Sequence, residues 1–379
     1  MNKRIYGIIL QITILAIVAC FIYFIFKTTS DNLTKSGIAT GFGFLNQPAG
    51  FDIGFSFLDY DSSDTYLKVF IIGILNTLFV SAASILFCTL LGFFFGIAQL
   101  SDNPLTVFMA KLYVETVRNI PLLLHVVFWY FIILNAFPSV SESWNLFELF
   151  FMNQRGLYLP SVEFSMETAV SVCFFIYVFL ITAFKIKEKR RYVKKTGKRK
   201  IIFPFILLMA FIPGFILWYF DWITIQIQIP EAERFNIFGG IYIVPELFAL
   251  VIGLSLYHGA FVAEYVRAGL QSVDKGQTEA ALALGLSSWR TMREIIVPQG
   301  LKVIIPSYIN NSLNVFKNSS LGAAIAFPEV VNVFLGTTLN QTGNAVETVL
   351  MAMLFYFVVS MLVSFILNMY NRRVQVIER

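Results

Sequence analysis

Eight separate runs of this chain are each long and apolar enough to cross a lipid bilayer, and this feature constrains the fold more than any other. A spanning helix needs about 20 mainly apolar residues. The runs lie at 5–26, 66–99, 104–136, 168–184, 201–220, 242–262, 301–327 and 345–370. Over the 379 residues, 57% are hydrophobic and 13% charged, whereas soluble domains carry about 25% charged residues. Several soluble domains in series are therefore excluded, and 41 Phe with 16 Tyr exclude a disordered chain. The expectation is an all-α membrane protein of about eight transmembrane helices. Runs 66–99, 104–136 and 301–327 are long enough to tilt, kink or begin in the interface. Pro121 and Pro306 are the expected kinks, because proline removes a helix hydrogen bond. The first run follows a basic Met1-Asn2-Lys3-Arg4 start, but it is longer than the ~7–15 apolar residues of a signal peptide. No small-residue cleavage site follows it, so it reads as a retained anchor.

Eight spans place both termini on one side, and the basic residues choose which. Lys27, Lys35, Arg155 and Arg234 fall in loops of one side, and Lys68, Lys111, Arg118 and Lys317 fall inside runs. All the other Lys and Arg of the 28 lie on the side of the termini. The positive-inside rule makes that side cytoplasmic. The organisation expected is an anchor helix and outer loop over 1–65, a membrane domain over 66–370 and a cytoplasmic tail over 371–379. Outer loops lie at 137–167 and 221–241, and cytoplasmic loops at 185–200 and 264–302. The run from Lys185 to Lys200 resembles a nucleic-acid patch in isolation. Between two apolar runs it is a topogenic loop touching anionic lipid, so no nucleic-acid partner is expected. The outer loops lean acidic through Asp52, Asp59, Asp61, Asp64, Glu142, Glu148, Glu163 and Glu167.

Several chemistries have no residues to carry them. Cys20, Cys88 and Cys173 lie in apolar runs and form no disulfide framework or metal spacing. His125 and His258 are the only histidines, and both read as helix-packing groups, so no metal ligands are assigned. There is no G-x-x-x-x-G-K-[ST] phosphate loop, no G-x-S-x-G elbow and no H-E-x-x-H. No catalytic residue is assigned, and any energy from ATP must come from another chain.

The loop 264–302 is the informative one. Thr278 suits an N-cap, and Glu279-Ala280-Ala281-Leu282-Ala283-Leu284 are strong helix formers. Gly285 can adopt the left-handed conformation that ends a helix. Ser287 or Ser288 can cap a second helix with Arg293 near its end, which Pro298 limits. The small-residue surface of the first helix permits close approach by another protein.

At these residues the chain resembles a known family. Glu279-Ala280-Ala281, three residues, Gly285, nine residues, Ile295, one residue and Val297-Pro298 resemble the EAA loop of ATP-binding-cassette (ABC) importer permeases. The family has Leu where this chain has Val297, a mild apolar change. Glu115-Thr-Val-Arg-Asn-Ile-Pro-Leu-Leu-Leu124 is similar to a segment of polar amino acid permeases. The segments from Phe44 to Ile53, Asn153 to Pro160 and Lys317 to Leu321 resemble general L-amino acid importer permeases. The likeness runs from about residue 42 to the C-terminus. It implies a type I ABC importer permease core of five helices, from the second, third, sixth, seventh and eighth runs. The other three runs are then additions, with both termini cytoplasmic. It also implies the bacterial inner membrane, a paralogous permease subunit, a cytoplasmic ATPase dimer, a periplasmic amino acid binding protein and an L-amino acid substrate. The EAA loop would be the ATPase-coupling site, carried by Glu279, Ala280, Ala281, Gly285, Ile295 and Pro298. No cofactor is expected in this chain, since ATP and Mg would be bound by the ATPase.

Polar residues inside the membrane are costly and mark pathways. The candidates are Glu115, Arg118, Asn119, Asn310, Asn311, Asn314, Lys317, Asn318, Ser319 and Ser320. Asn310, Asn314 and Lys317 share a helix face by spacing. They either line the pathway or brace it. Glu115 is either a counter-charge for substrate or a partner of Arg118 one turn on. In Gly92-Phe-Phe-Phe-Gly96 two glycines four apart permit close helix approach or occur by chance. The alternative function is a secondary transporter of small polar solutes, which predicts inverted repeats with broken helices.

Overall fold

The computed structural model of the chain describes residues 3–35, 40–164, 225–233 and 236–374. The runs expected at 168–184 and 201–220, the basic loop between them and residues 375–379 lie outside the described residues. The described chain divides into two units, 1–133 with 244–379, and 134–243.

The first unit is helical. It contains α1 (Lys3–Lys35), α2 (Tyr66–Ala98), α3 (Pro104–Arg118), α4 (Leu122–Ala136, its last residues in the second unit), α5 (Pro245–Gln271), α6 (Lys275–Ala283), α7 (Ser288–Thr291), α8 (Val297–Asn318), α9 (Leu339–Thr342) and α10 (Ala345–Val374). Four stretches are long and apolar enough to cross a membrane: Leu10–Thr29, Tyr66–Ala98, Pro245–Gln271 and Ala345–Met369. The helices α3 and α4 make a fifth if taken as one broken span.

The third run is therefore not one kinked helix. Pro121 lacks an N–H and disfavours helix at the residue before it. The chain stops at Asn119, whose backbone N–H bonds Val117 O, and restarts at Leu122 with a bend of 105°. Pro306, by contrast, sits inside α8, which runs on through it.

The helices α2 and α5 pack through glycines. A Cβ at Gly92 would lie 2.3 Å from Val262 Cγ1, and one at Gly96 would lie 2.7 Å from Val266 Cβ. The two glycines four apart are thus a real seam. Around them Cys88, Val262, Val266, Leu270, Ile304 and Val315 form one apolar cluster. A second cluster joins Phe44 and Ala49 of the preceding segment to Tyr66, Val69, Phe316, Val330, Phe334 and Phe355.

Between α8 and α10 the backbone is not regular α-helix. A 3₁₀ turn (Ser319–Ile325) ends at Ala326 in the left-handed region (φ 59°), and a π-turn (Val331–Thr338) leads into α9. This segment penetrates the bundle. Asn76 Nδ2 donates to Pro328 O at 2.8 Å, and Val330 N–H donates to Thr77 Oγ1 at 3.2 Å. At 1.5 Å per residue, Asn76 and Thr77 lie roughly 15–16 Å inward from Tyr66. The seventh run is thus a helix followed by a dipping segment, not a helix to Phe327.

The second unit carries strands, which corrects the all-α expectation to a mostly helical one. Strands β1 (Trp144–Leu146), β2 (Phe150–Asn153), β3 (Gly156–Leu159) and β8 (Ile241–Ile243) form an antiparallel sheet in the order β1-β2-β3-β8. Phe151 pairs with Tyr158 and Leu157 with Ile243. Two further pairs are β4 (Ser161–Phe164) with β5 (Ile225–Gln228), and β6 (Glu231–Ala232) with β7 (Ile237–Phe238). Phe151, Tyr158 and Ile237 are its core. Gly156 (φ 140°) makes the β2–β3 turn, where a Cβ would lie 2.2 Å from Ile243 O. The sixth run accordingly begins as strand at Tyr242 and becomes helix only at Pro245.

Candidate functional site

Two groups of residues carry the chemistry, and the loop between α5 and α8 is the first. Asp274, not Thr278, caps α6: its Oδ1 accepts the Gly276 N–H at 2.6 Å. The helix therefore starts four residues before the expected point, and Thr278 lies within it. Gly285 is left-handed (φ 78°), as its position predicts, and nothing lies within 4 Å of where its Cβ would be. Its N–H bonds Leu282 O at 2.9 Å, and Leu286 N–H bonds Ala281 O at 3.1 Å. These bonds satisfy carbonyls at the helix end. Ser287 precedes α7, and a π-turn (Met292–Ile296) joins it to α8. Pro298 therefore opens α8 and does not end a helix.

Ala281 is buried, whereas Glu279, Ala280, Gly285 and Pro298 are exposed and Ile295 is half-buried. Around them Leu284 is 82% exposed and Trp289 71% exposed. Both are large apolar side chains left in the open on a polar loop. From sequence Leu284 reads only as a helix former and Trp289 carries no signal, since exposure is not legible in the local pattern.

The second group lies on α8. Asn310, Asn314 and Lys317 are all exposed, on one face, as their spacing predicts. Asn318 and Ser319 turn elsewhere. Asn318 Nδ2 donates to His258 Nε2 at 3.1 Å, and His258 Nδ1 bonds Asn311 Oδ1 at 3.0 Å. His258 thus acts as a buried clamp between α5 and α8. Ser319 is fully buried and donates to Phe316 O at 2.6 Å. Asn318 and Ser319 brace the face and do not line it. His125 Nε2 bonds Val117 O at 3.1 Å, also a packing contact.

Lys317, Ser320, Val331, Tyr356, Phe357 and Ser360 line an open groove of about 420 Å³. Behind it stands Glu329, which the sequence reading missed because it follows Pro328 in what reads as a loop. Glu329 is fully buried. Its Oε1 accepts the Asn332 N–H at 2.8 Å, and its Oε2 accepts the Val331 N–H at 2.8 Å and the Tyr356 hydroxyl at 3.3 Å. The carboxylate caps the π-turn and fixes the groove wall.

Glu115, Arg118 and Asn119 form a separate exposed cluster at the end of α3. Arg118 lies over the Phe261 ring at 5.1 Å, a cation–π contact. No ion pair joins it to Glu115 among the described residues, and none of the three shares a described contact with Lys317. Glu264, near Arg118, is paired with Arg267 one turn on.

The long apolar helices make this a multi-pass integral membrane protein, and comparison with known proteins gives its class. Residues 192–376 match the family model of the binding-protein-dependent transport system inner membrane component. The chain is 41% identical to the putative amino-acid ABC transporter permease protein YhdX of Escherichia coli (strain K12), covering all of this chain and 96% of that one. It is 37% identical to the general L-amino acid transport system permease protein AapQ of Rhizobium johnstonii, over 98% of this chain and 93% of that one. It is 33% identical to the glutamate/glutamine/aspartate/asparagine transport system permease protein BztB of Rhodobacter capsulatus, over 100% and 96%. The chain belongs to the amino-acid ABC transporter permease family. It is the membrane subunit of an ATP-driven importer, a transport component and not an enzyme, and ATP hydrolysis resides in a separate chain.

Proposed function

We propose that this chain forms part of the translocation pathway for L-amino acids across the bacterial inner membrane, beside a paralogous permease subunit. The observation that carries this reading is the segment 319–338. Irregular backbone at membrane depth is tolerated only where it is buried in protein or lines a water-filled cavity. The exposed face Asn310, Asn314 and Lys317 leads to that segment, and such side chains do not face lipid. Asn310 and Asn314 line the pathway, with Lys317 at its inner groove. Loop 272–298 is cytoplasmic and docks on an ATPase dimer through Ala280, Leu284 and Trp289, with Gly285 setting the turn. Nucleotide binding there biases one of two packings of the bundle, and substrate delivered by a periplasmic binding protein biases the other. ATP and Mg belong to the ATPase.

The test is solvent access in the assembled transporter. With Cys20, Cys88 and Cys173 replaced by Ala, Asn314→Cys should react with a membrane-impermeant maleimide, and saturating L-amino acid should slow the reaction. A cysteine there that stays unreactive in the assembled, ATPase-active complex refutes the pathway assignment.

A further inference from the structure

We propose that Lys317 is the group that binds the substrate's carboxylate inside the membrane, so that the groove accepts anionic and neutral amino acids in preference to cationic ones. This rests on the pathway assignment above. The groove lies deep: Tyr356 and Ser360 are roughly 16 and 22 Å along α10 from Ala345. Lys317 is exposed to the groove side and forms no ion pair among the described residues. A cation at that depth without a counter-charge is costly, which favours an anion beside Lys317.

Among the described residues, the carboxylates that follow next in sequence are committed elsewhere. Glu329 is committed to two backbone N–H groups and Tyr356. Glu347 accepts the Gly41 N–H at the other end of α10. Two serines complete the polar lining. Ser320 Oγ donates to Lys317 O at 2.8 Å and keeps its lone pairs. Ser360 Oγ is buried with no hydrogen-bond partner, so its donor is free for a ligand oxygen. Val331 and Phe357 supply apolar wall. Among the described residues no acidic side chain lines the groove, so a second positive charge on a ligand finds no partner there.

The shared chemistry is a carboxylate, and it has two sources, the α-carboxylate and an acidic side chain. The experiment measures the concentration of L-glutamate, L-glutamine or L-arginine that half-protects Asn314→Cys from the maleimide, in the complete transporter carrying Lys317, Lys317→Gln or Lys317→Arg. With Lys317, glutamate and glutamine should protect at lower concentration than arginine. Lys317→Gln should raise the half-protecting concentration about tenfold or more, since a hydrogen bond to a charged group is lost. Equal loss for glutamate and glutamine identifies the α-carboxylate, and loss for glutamate alone identifies the side chain. Lys317→Arg should retain most of the protection. Unchanged protection in Lys317→Gln, with Asn314→Cys still reactive and protectable, overturns the carboxylate assignment and leaves the pathway standing. A Lys317→Gln chain that no longer assembles with the second permease also overturns it, because Lys317 then pairs with the partner subunit. An unreactive Asn314→Cys would instead defeat the pathway reading itself.

Discussion

Gly92→Ala should damage this protein far more than one methyl group suggests. The added Cβ would lie 2.3 Å from Val262 Cγ1, 2.4 Å from Val262 Cβ and 3.2 Å from the Ala263 backbone nitrogen. Carbon atoms pack at about 3.5–4.0 Å, so more than 1 Å must be found at this point. Val262 cannot swing aside, because its own Cβ is one of the atoms struck and a helical valine has one strongly preferred rotamer. The helices α2 and α5 must separate instead. Overpacking of this kind costs about 1–3 kcal/mol per site. Gly96→Ala, at 2.7 Å from Val266 Cβ and 2.8 Å from Ala263 O, should cost a similar amount. Thermal unfolding of the detergent-purified transporter, followed by tryptophan fluorescence, should show a lowered Tm for each variant. Adding Val262→Gly should recover much of the Gly92→Ala loss, whereas Val262→Ala should recover less, because the offending Cβ remains. A Gly92→Ala protein with unchanged Tm, or a Val262→Gly partner that rescues nothing, would refute the close α2–α5 seam.

Four further outcomes are expected. Gly285→Asp should insert and assemble, because nothing lies within 4 Å of its Cβ, yet lose ATP-driven uptake by altering the left-handed turn and adding charge to the docking surface; normal uptake in proteoliposomes would remove the coupling role. Leu284→Ser with Trp289→Ala should leave Tm unchanged and reduce the ATPase recovered on purification, and full recovery would show that these side chains are not the contact. Glu329→Gln should lower Tm by an amount corresponding to about 1–3 kcal/mol, since an amide NH₂ cannot accept both backbone donors; an unchanged Tm would show that the cap is dispensable. In the segment before α2, the Lys68 ammonium at 2.7 Å and the Asp61 N–H hold the Asp64 carboxyl below its ordinary 3.8. A depressed folded value stabilises above pH 3.8 and is lost as pH falls through it. The protection factor of the Ala49 amide, which bonds Asp64 O, should therefore fall as pH drops below that value, and not in Asp64→Asn.

What the sequence revealed and what it concealed follow from the range of the interactions. The turn at Gly285, the shared face of Asn310, Asn314 and Lys317, and the spans over α2, α5 and α10 depend on local propensity and periodicity, and all were legible. The break after Asn119 was half-legible, since Pro121 marked a bend without fixing its 105° angle. The cap of α6 was misplaced because Asp274 and Thr278 are both good caps, and only the hydrogen bond to Gly276 separates them. The strands β1–β3 were hidden by the turn residues around them, in a stretch read only as loop. Glu329 was out of reach. Its burial depends on Tyr356, 27 residues later, and on a π-turn that apolar periodicity does not signal. Arg118 likewise chose Phe261, distant in sequence, over the nearby Glu115.

The most direct test of the account is uptake of radiolabelled L-amino acid by proteoliposomes that contain this chain purified with whatever membrane and ATPase partners accompany it. With the binding protein outside and ATP inside, accumulation should occur, and it should stop when ATP is omitted or when Gly285→Asp is introduced. Accumulation by the chain alone, without ATP and driven by an ion gradient, would contradict the account and make the protein a secondary transporter.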